Sequence, residues 1–256
     1  MHVKKWLTNK FTGAGASGLQ KSEARTTVGT RNEATREAWL EHCLGQIPDG
    51  LRILDAGAGE QRYKRFCSHL NYVAQDFAEY DGKGDGVGLQ TGSWDQSKLD
   101  IVCDITSIPE SDASFDAIMC VEVFEHLPNP ILAIKEFSRL LKKKGTLIIT
   151  APFCSLTHLA PYHFYSGFNH YFYKTHLPMY GFEITDLQEN GNFFEYLAQE
   201  IHRLPYIAES YAKDCPNGRE SLSLQSVLAM LERFSSKDNG SAEMLYFGCH
   251  VRASRK

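Results

Sequence analysis

The sequence predicts an α/β fold: a doubly wound, mostly parallel seven-stranded sheet with helices on both faces and a small cap. Five apolar stretches of strand length alternate with segments of helical character, and parallel neighbours in a sheet need such crossover connections. The first stretch, residues 52–56, runs into Gly57 and Gly59. A strand that ends in a glycine turn is where ligands bind in sheets of this kind, so we expect the functional site at this edge.

The composition is typical of a globular chain. Hydrophobic residues make up 43% and charged residues 23%, and no apolar stretch approaches the roughly 20 residues that span a bilayer. The first seven residues include basic side chains but no long apolar region, so we expect no secretory signal and a cytoplasmic protein. A net charge of -4 gives no electrostatic reason for a nucleic-acid partner, and a homodimer is left open.

The N-terminal region differs from the rest of the chain. Residues 1–30 contain a stretch rich in glycine and small residues, which predicts a flexible arm, or alternatively a lid that orders over bound ligand. We expect residues 31–256 to form one domain. Its first element is an amphipathic helix over 33–44, for which Asn32 is a candidate cap.

The glycine turn indicates the kind of ligand. Asp55 places a carboxylate at the carboxyl end of the first strand, and Gly57 and Gly59 let backbone approach a ligand. A dinucleotide fingerprint would have a third glycine where Arg62 stands, which disfavours a pyrophosphate. S-adenosylmethionine (SAM), with an adenosine and an amino-acid tail but no phosphate, suits what remains. A tight turn without a ligand is the alternative.

The next segments contribute two further acidic strand ends. After a predicted helix over 61–70, strand 71–76 ends in Asp76, about 20 positions past the turn, where a carboxylate can accept hydrogen bonds from a ribose diol. A structural turn cap is the alternative role. Residues 81–97 are glycine-rich without periodicity and are predicted to be a loop. A third strand over 99–105 includes Asp104 and Ile105, which could contact the amine and the face of an adenine.

The fourth and fifth strands are predicted at 114–121 and 146–152, on either side of a helix over 130–141. Lys142, Lys143 and Lys144 complement the C-terminal dipole of that helix, and Gly145 supplies its left-handed stop. Farther on we expect a strand at 182–185, helices over 192–203 and 221–234, a loop at 205–217 and a final strand at 243–251. A hairpin of the last two strands makes the sheet mixed.

Taken together, residues 52–152 resemble class I SAM-dependent methyltransferases, which have a Rossmann-like fold. The matching elements are the glycine turn, the acidic ends of the second and third strands, the fourth strand with the segment 123–127, and 140–145. The resemblance implies that the first turn contacts the methionine tail and ribose, that the second acidic residue holds the ribose hydroxyls and that the third contacts adenine. The implied cofactor-binding residues are Asp55, Ala56, Gly57, Ala58, Gly59, Asp76, Asp104 and Ile105, with Val121 and Glu122 beside the sulfonium.

A looser similarity continues through residues 152–165 and 180–182. This part resembles bacterial methyltransferases of surface-polysaccharide and other sugar pathways. The resemblance implies a small-molecule or glycan acceptor and O-methylation of a sugar hydroxyl, with residues 153–180 as an acceptor-side insertion. The N-P-P-Y and Pro-Cys signatures of DNA methyltransferases are absent, which also disfavours nucleic acid.

Histidines and tyrosines are concentrated in residues 153–180, just beyond the fifth strand, where side chains can reach the crevice. A hydroxyl is a poor nucleophile until a base removes its proton, and histidine performs that task near neutral pH. His158 and His163 are therefore the candidate general bases, with His126, on the turn after the fourth strand, in reserve. Aromatic packing under the cap is the alternative for each side chain. A zinc site is a further alternative, but the metalloprotease spacing is missing and we expect no metal.

The sequence alone leaves two other functions open. A nicotinamide-dependent oxidoreductase is opposed by the missing third glycine. A catalytically inactive, methyltransferase-like binding module is opposed by the intact set of Asp55, Gly57, Asp76 and Asp104. Binding of SAM or of NADH separates these hypotheses.

Overall fold

The structure, a computed structural model, describes residues 26–256, and these fold as two compact units. The first unit comprises residues 36–188 and 248–256, and the second comprises 26–35 and 189–247. The predicted arm or lid at residues 1–30 falls largely outside the described residues. None of the helices between residues 26 and 256 has the length and apolar character that a membrane span requires.

The strands of the described residues form one seven-stranded sheet. In chain order they are β1 (Arg52–Ala56), β2 (Asn71–Asp76), β3 (Ile101–Val102), β4 (Phe115–Val121), β5 (Leu141–Pro152), β6 (Phe182–Asn190) and β7 (Gly248–Arg255). Their order in the sheet is β3-β2-β1-β4-β5-β7-β6. The first five strands pair in parallel, whereas β7 runs antiparallel to β5. The predicted fold class is confirmed.

The strand order fixes the position of the crevice. Successive strands step outward from β1 to β3, and β4 then lies on the other side of β1, so the order reverses between β1 and β4. Ligands bind at such a switch point, beyond the carboxyl ends of the strands. Both central strands are almost wholly buried, as expected for parallel strands covered on two faces.

The helices are α1 (Asn32–Gly45), α2 (Pro130–Leu140), α3 (His170–Met179), α4 (Phe193–Ile207) and α5 (Gly218–Ser235). In α1 the buried face consists of Trp39, Leu40, Cys43 and Leu44, as the amphipathic pattern predicted. These side chains pack with residues of β1, β4 and β5 in the core of the first unit. In the second unit, Val28 packs with Ala198 of α4 and with Leu228 and Leu231 of α5.

Three local predictions between residues 61 and 145 differ from the structure. The helix expected over 61–70 is only a 3-10 turn at Lys64–Phe66, and Gln61, with a φ of 57°, cannot belong to a right-handed helix. The lysines after α2 belong to β5, and the left-handed residue is Lys144, with a φ of 64°, rather than Gly145. The third strand keeps only Ile101 and Val102, and Val102 is 62% exposed at the sheet edge.

The C-terminal elements differ from the prediction in their ends. The predicted strand at 182–185 extends to residue 190, and the predicted loop at 205–217 begins with the last turn of α4 and a π-turn at Ala208–Ala212. The final strand starts at Gly248 rather than at residue 243, because Ser241–Glu243 forms a 3-10 turn. Pairing with β5 sets the register of β7 and places Val251 opposite Ile149.

Candidate active site

The glycine turn after β1 is fixed by the neighbouring strand. The N–H groups of Gly57 and Ala58 both donate to the carbonyl oxygen of Gln75 in β2, at 2.9 and 2.8 Å. Gly57 has a φ of 80°, and a Cβ there would lie 2.5 Å from Cγ2 of Val123. Only glycine fits at this position, which keeps the backbone open toward the end of the strand.

Asp76 lies at the end of β2 and is buried. Its Oδ2 accepts a hydrogen bond from the N–H of Gly59 at 2.8 Å, and its Oδ1 accepts from the N–H of Ala78 at 3.0 Å. The structure thus places the expected ribose acceptor against the glycine turn and gives it a second task, since it holds that turn in place. A carboxylate has about four acceptor sites, so both oxygens can accept further hydrogen bonds.

Asp55, at the end of β1, is buried and accepts a hydrogen bond from the hydroxyl of Tyr72 at 2.5 Å. Burial raises the pKa of Asp55 to about 7, the Tyr72 hydroxyl opposes that shift, and the charge of Asp76 adds to it. Burial and the Asp55 charge also raise the pKa of Tyr72. The two side chains form a buried pair beneath the turn.

The predicted adenine contacts lie in a tight turn after β3. Asp104 is exposed, and its Oδ1 accepts from the N–H and the hydroxyl of Thr106 at 2.8 and 2.7 Å. Ile105 is buried beside it. This side-chain turn explains why the strand ends before residue 104.

Trp94, which carried no role in the sequence analysis, lies over the glycine turn. A Cβ on Gly59 would come within 3.0 Å of the Trp94 ring, and that ring packs edge-on against Tyr80 with 5.0 Å between centroids. The loop 81–97 is also bound to the segment after β5, because Leu89 and Thr157 are hydrogen-bonded and Leu89 bridges to His158. The signal available in the sequence was a glycine-rich loop that contains one aromatic residue, Trp94, and directly follows another, Tyr80.

Glu122 follows β4 with a φ of 56° and forms an ion pair with Arg36 of α1 at 3.0 Å. Its other carboxylate oxygen accepts from the Thr150 hydroxyl at 2.8 Å. Val121, the last residue of β4, is buried beside it. Arg36 was missed by the sequence analysis, because nothing in a helical pattern indicates a partner 86 positions away.

The three candidate histidines lie together. Ring centroids are 4.7 Å apart for His126 and His158, 4.8 Å for His158 and His163, and 6.0 Å for His126 and His163. Glu125 lies among them, with its Oε1 3.7 Å from Nε2 of His126 and 3.8 Å from Nε2 of His158. Glu125 was assigned no role from the sequence, although it stands next to His126.

Burial dominates the electrostatics of this cluster. It lowers the pKa of His126 to about 3, with a further decrease from the neighbouring His158, while the Tyr162 carbonyl opposes the shift. Burial and His158 also lower the pKa of His163. The pKa of Glu125 is raised well above its ordinary value, first by burial and then by the charge of Glu122.

Aromatic side chains surround the cluster. Tyr162 packs edge-on against Phe77 with 4.9 Å between centroids, and its hydroxyl donates to Glu79 at 3.2 Å. The hydroxyl of Tyr165 donates to the Pro128 carbonyl at 3.1 Å. Both Phe77 and Tyr165 are more than one-third exposed, so flat ring surface is accessible at two residues that contact Tyr162 and Glu125.

Comparison with known proteins agrees with this geometry. Residues 54–149 match the family model described as a methyltransferase domain, which includes the glycine turn and β4. The ubiquinone biosynthesis O-methyltransferase of Leptothrix cholodnii is 28% identical over 118 residues, covering 44% of this chain and 48% of that protein. The protein of the same name from Xanthomonas oryzae is 32% identical over 104 residues, covering 40% of this chain and 43% of that protein. The chain spans about half the length of the curated relatives it matches.

Solved structures share the fold over most of the chain. The cyclase SpnF is 17% identical with a TM-score of 0.52, covering 95% of this chain and 88% of that one. Phosphoethanolamine N-methyltransferase 2 of Haemonchus contortus, solved with SAM, is 17% identical with a TM-score of 0.51, covering 87% of this chain and 52% of that one. The fold is therefore the Rossmann-like fold of class I SAM-dependent methyltransferases. One of these neighbours is named as a cyclase, so the shared fold alone does not specify the reaction, which depends on the residues of the site.

Proposed function

We propose that this protein is a SAM-dependent methyltransferase that methylates a hydroxyl group of a small-molecule acceptor. The methyltransferase match at residues 54–149 and the similarity to O-methyltransferases support the reaction class. The proposed acceptor is a sugar-like or glycan hydroxyl, which rests on the resemblance at residues 152–165.

The observation that carries the proposal is the acidic character of the crevice around the glycine turn. Asp76 ends β2, Asp55 lies near the end of β1 and Glu122 follows β4, so three acidic residues lie at the carboxyl ends of three adjacent strands, beside the switch point of the sheet. Glu122 is neutralised by Arg36 and Asp55 is held by Tyr72, so the charge that faces a ligand is chiefly that of Asp76, which disfavours a pyrophosphate and favours a cation. SAM carries positive charge on its sulfonium and its ammonium, so it matches the site, whereas a dinucleotide does not.

The open backbone of the glycine turn also supports SAM as the ligand. A side chain at Gly57 would collide with Val123, so the turn offers bare backbone to a ligand. Asp76 is the proposed acceptor for the ribose hydroxyls, and Asp104 with Ile105 the proposed adenine contacts. When bound, SAM supplies an electrophilic methyl group. The protein's own part is to hold the acceptor hydroxyl in line and to remove its proton.

The histidine cluster is the proposed source of the base. A carbonyl oxygen only accepts, so the contacts of Nδ1 in His126 and His158 with carbonyl oxygens leave Nε2 as the basic atom in each neutral ring. His163 is the alternative to His126, whose side chain is only 13% exposed, and the Nε2 of His163 contacts the Ser155 hydroxyl at 3.2 Å. We propose His158 or His163 as general base and keep His126 in reserve. Phe77 and Tyr165 supply ring surface for the acceptor.

The first experiment is titration calorimetry with SAM, S-adenosylhomocysteine and NADH. We expect both sulfur ligands to bind and NADH not to bind. Binding of NADH in the absence of SAM binding refutes the proposal and favours the oxidoreductase. Binding of SAM without turnover of any acceptor favours the inactive binding module.

The second experiment is an acceptor screen with nucleotide sugars, glycans and phenols, the last because of the relatives' names. With an acceptor in hand, His158→Ala, His163→Ala and His126→Ala are compared for SAM affinity and turnover. The base variant should keep SAM affinity and lose roughly 10² to 10⁴ in rate. Full turnover in all three variants, or methyl found on nitrogen or carbon, contradicts the mechanism.

A further inference from the structure

The cluster beyond β4 and β5 contains a buried acid whose carboxylate accepts no hydrogen bond from another of the residues that the structure describes. Glu125 is only 1% exposed, and neither of its carboxylate oxygens has a hydrogen-bond partner among the residues that the structure describes. The buried Nε2 of His126 likewise has none within residues 26–256. Buried polar atoms nearly always have partners, and each exception needs an explanation such as a bound ion.

The tautomers of two histidines are fixed by backbone. The Nδ1 of His126 lies 2.5 Å from the carbonyl oxygen of Tyr162, and the Nδ1 of His158 lies 2.8 Å from that of Leu156. Since a carbonyl oxygen cannot donate, Nδ1 carries the hydrogen in each ring and Nε2 carries the lone pair. A backbone carbonyl on the second ring nitrogen is the usual support of a metal-binding histidine.

The three potential ligand atoms converge. Oε1 of Glu125 lies 3.7 Å from Nε2 of His126 and 3.8 Å from Nε2 of His158, too far for hydrogen bonds. One potential ligand atom from each of the three residues falls within 4.8 Å of the others. Tetrahedral bonds of about 2.0–2.1 Å to zinc separate ligand atoms by roughly 3.3 Å. The two carboxylate–imidazole distances of 3.7 and 3.8 Å are close to this value, and the third separation is at most 4.8 Å, so small side-chain rotations complete the site.

We propose that Glu125, His126 and His158 bind a divalent transition-metal ion such as Zn²⁺. Two imidazole nitrogens and one carboxylate oxygen form a donor set that suits zinc and its neighbours, whereas Mg²⁺ and Ca²⁺ prefer oxygen ligands. The ion gives the buried Glu125 carboxylate a positive partner at bonding distance, which no lysine or arginine within residues 26–256 supplies. For this cluster, the proposed metal site takes the place of the expectation from the sequence that no metal is bound.

The backbone around the site is already organised for binding. The N–H groups of Phe164 and Tyr165 donate to the carbonyl oxygen of Glu125, which ties the segment after β5 to the turn after β4. Leu89 pairs with His158 from the other side. Ligands held by such contacts bind metal with little loss of conformational freedom.

A metal ion at this site would help to deprotonate the acceptor hydroxyl, and this step rests on the proposed function. Three protein ligands leave a coordination position for water or an acceptor hydroxyl, and a hydroxyl on a metal loses its proton more easily. With His126 and His158 as ligands, His163 becomes the base that receives that proton.

The test begins with metal content. Purified protein is freed of metal with a chelator, and Zn²⁺ is then titrated by calorimetry, with Co²⁺ absorption as an independent readout of coordination. We expect one equivalent per chain, unaffected by equimolar Mg²⁺. The variants Glu125→Gln and His158→Ala should bind at least about a hundredfold more weakly, since loss of even an outer-shell partner costs 10- to 100-fold. The exposed His42 supplies the matched control, His42→Ala, which should bind as the wild type does.

Circular dichroism verifies that each variant is folded, and His158→Ala, at the more exposed ligand, stands in if Glu125→Gln does not fold. The proposal is overturned if the folded wild type takes up no stoichiometric metal, or if both ligand variants bind Zn²⁺ as tightly as His42→Ala does. SAM titration of the metal-free protein separates the two proposals. If SAM binds and metal does not, the metal site is wrong and the methyltransferase stands. If metal binds and SAM does not, the metal site stands and the methyltransferase is wrong.

Discussion

Asp76 and Gly59 are joined by a hydrogen bond of 2.8 Å from the glycine N–H to the carboxylate, across 17 positions of sequence. The acid at the end of β2 therefore determines the shape of the turn as well as its charge. A side chain expected to recognise a ligand also builds the pocket that receives it, and its removal should affect both properties.

Asp76→Ala should weaken SAM binding by roughly tenfold to a hundredfold, because charge-assisted hydrogen bonds of about 1.5–3 kcal/mol are lost. The same variant should lower the free energy of unfolding, since the Gly59 and Ala78 N–H groups lose their acceptor. Calorimetry and urea unfolding measure the two effects. Asp76→Asn retains one carbonyl oxygen. Its SAM affinity and its free energy of unfolding should therefore lie between those of Asp76→Ala and those of the wild type. Unchanged affinity in folded Asp76→Ala assigns the residue to structure alone.

Gly57→Ala should abolish measurable SAM binding and destabilise the protein, because a Cβ would lie 2.5 Å from Val123. Gly50 supplies a matched control: its φ of 76° resembles the 80° of Gly57, but a Cβ there meets nothing within 4 Å. Both variants carry the same backbone strain, on the order of 1 kcal/mol. The difference between their melting temperatures and SAM affinities reports the collision with Val123. Equal behaviour of the two variants contradicts this account of the turn.

Trp94 should report occupancy of the crevice through its fluorescence, because its ring lies against the glycine turn. SAM that binds there changes the surroundings of the indole, and the emission should shift or lose intensity. Trp94→Phe should eliminate the response, whereas Trp39→Phe should retain it, because Trp39 is buried and stacked on His250. A response that survives in Trp94→Phe, with SAM affinity intact, places the ligand elsewhere.

His250 should make the protein less stable in acid. Burial lowers its pKa to about 4, against about 6.5 in an unfolded chain, and the opposing charges of Glu122 and Arg36 alter that shift less. Between these values the unfolded state binds one proton more, so stability is complete above pH 6.5 and falls toward pH 4, by on the order of 1.4 kcal/mol per unit.

The measurement is urea unfolding of wild type and His250→Phe between pH 4 and 7. The phenylalanine keeps a ring against Trp39 and cannot be protonated. Asp55, whose pKa is raised, changes stability in the opposite direction over this range, but it does so in both proteins and cancels in the difference. Parallel pH profiles contradict a buried, neutral His250.

The sequence was informative where structure depends on local pattern. Continuous apolar runs that end in glycine or an acid predicted the strands, and strand 71–76 matched the structure at both ends. The same kind of local pattern led to the wrong prediction of a helix over 61–70. Tyr63, Cys67 and Leu70 have helical spacing and all three are buried in the core, but they reach it from successive turns and not from one helix.

Contacts between distant segments could not be predicted in the same way. From the sequence, His126, His158 and His163 were expected only to lie at the same edge of the sheet. The structure places the ring of His126 4.7 Å from that of His158 and 6.0 Å from that of His163. Nothing in the sequence around Glu125 indicates that its carboxylate is enclosed. Its burial depends on the segment after β5, whose backbone folds back onto the turn after β4.

The position of β7 has a consequence for how the chain is made. This strand lies between β5 and β6, yet it is the last of the seven in chain order. While the ribosome has not released residues 248–255, β5 has an unpaired edge of N–H and C=O groups, and such edges recruit strands from other chains. The edge of β5 therefore stays open to other chains until these eight residues have left the ribosome and paired with it.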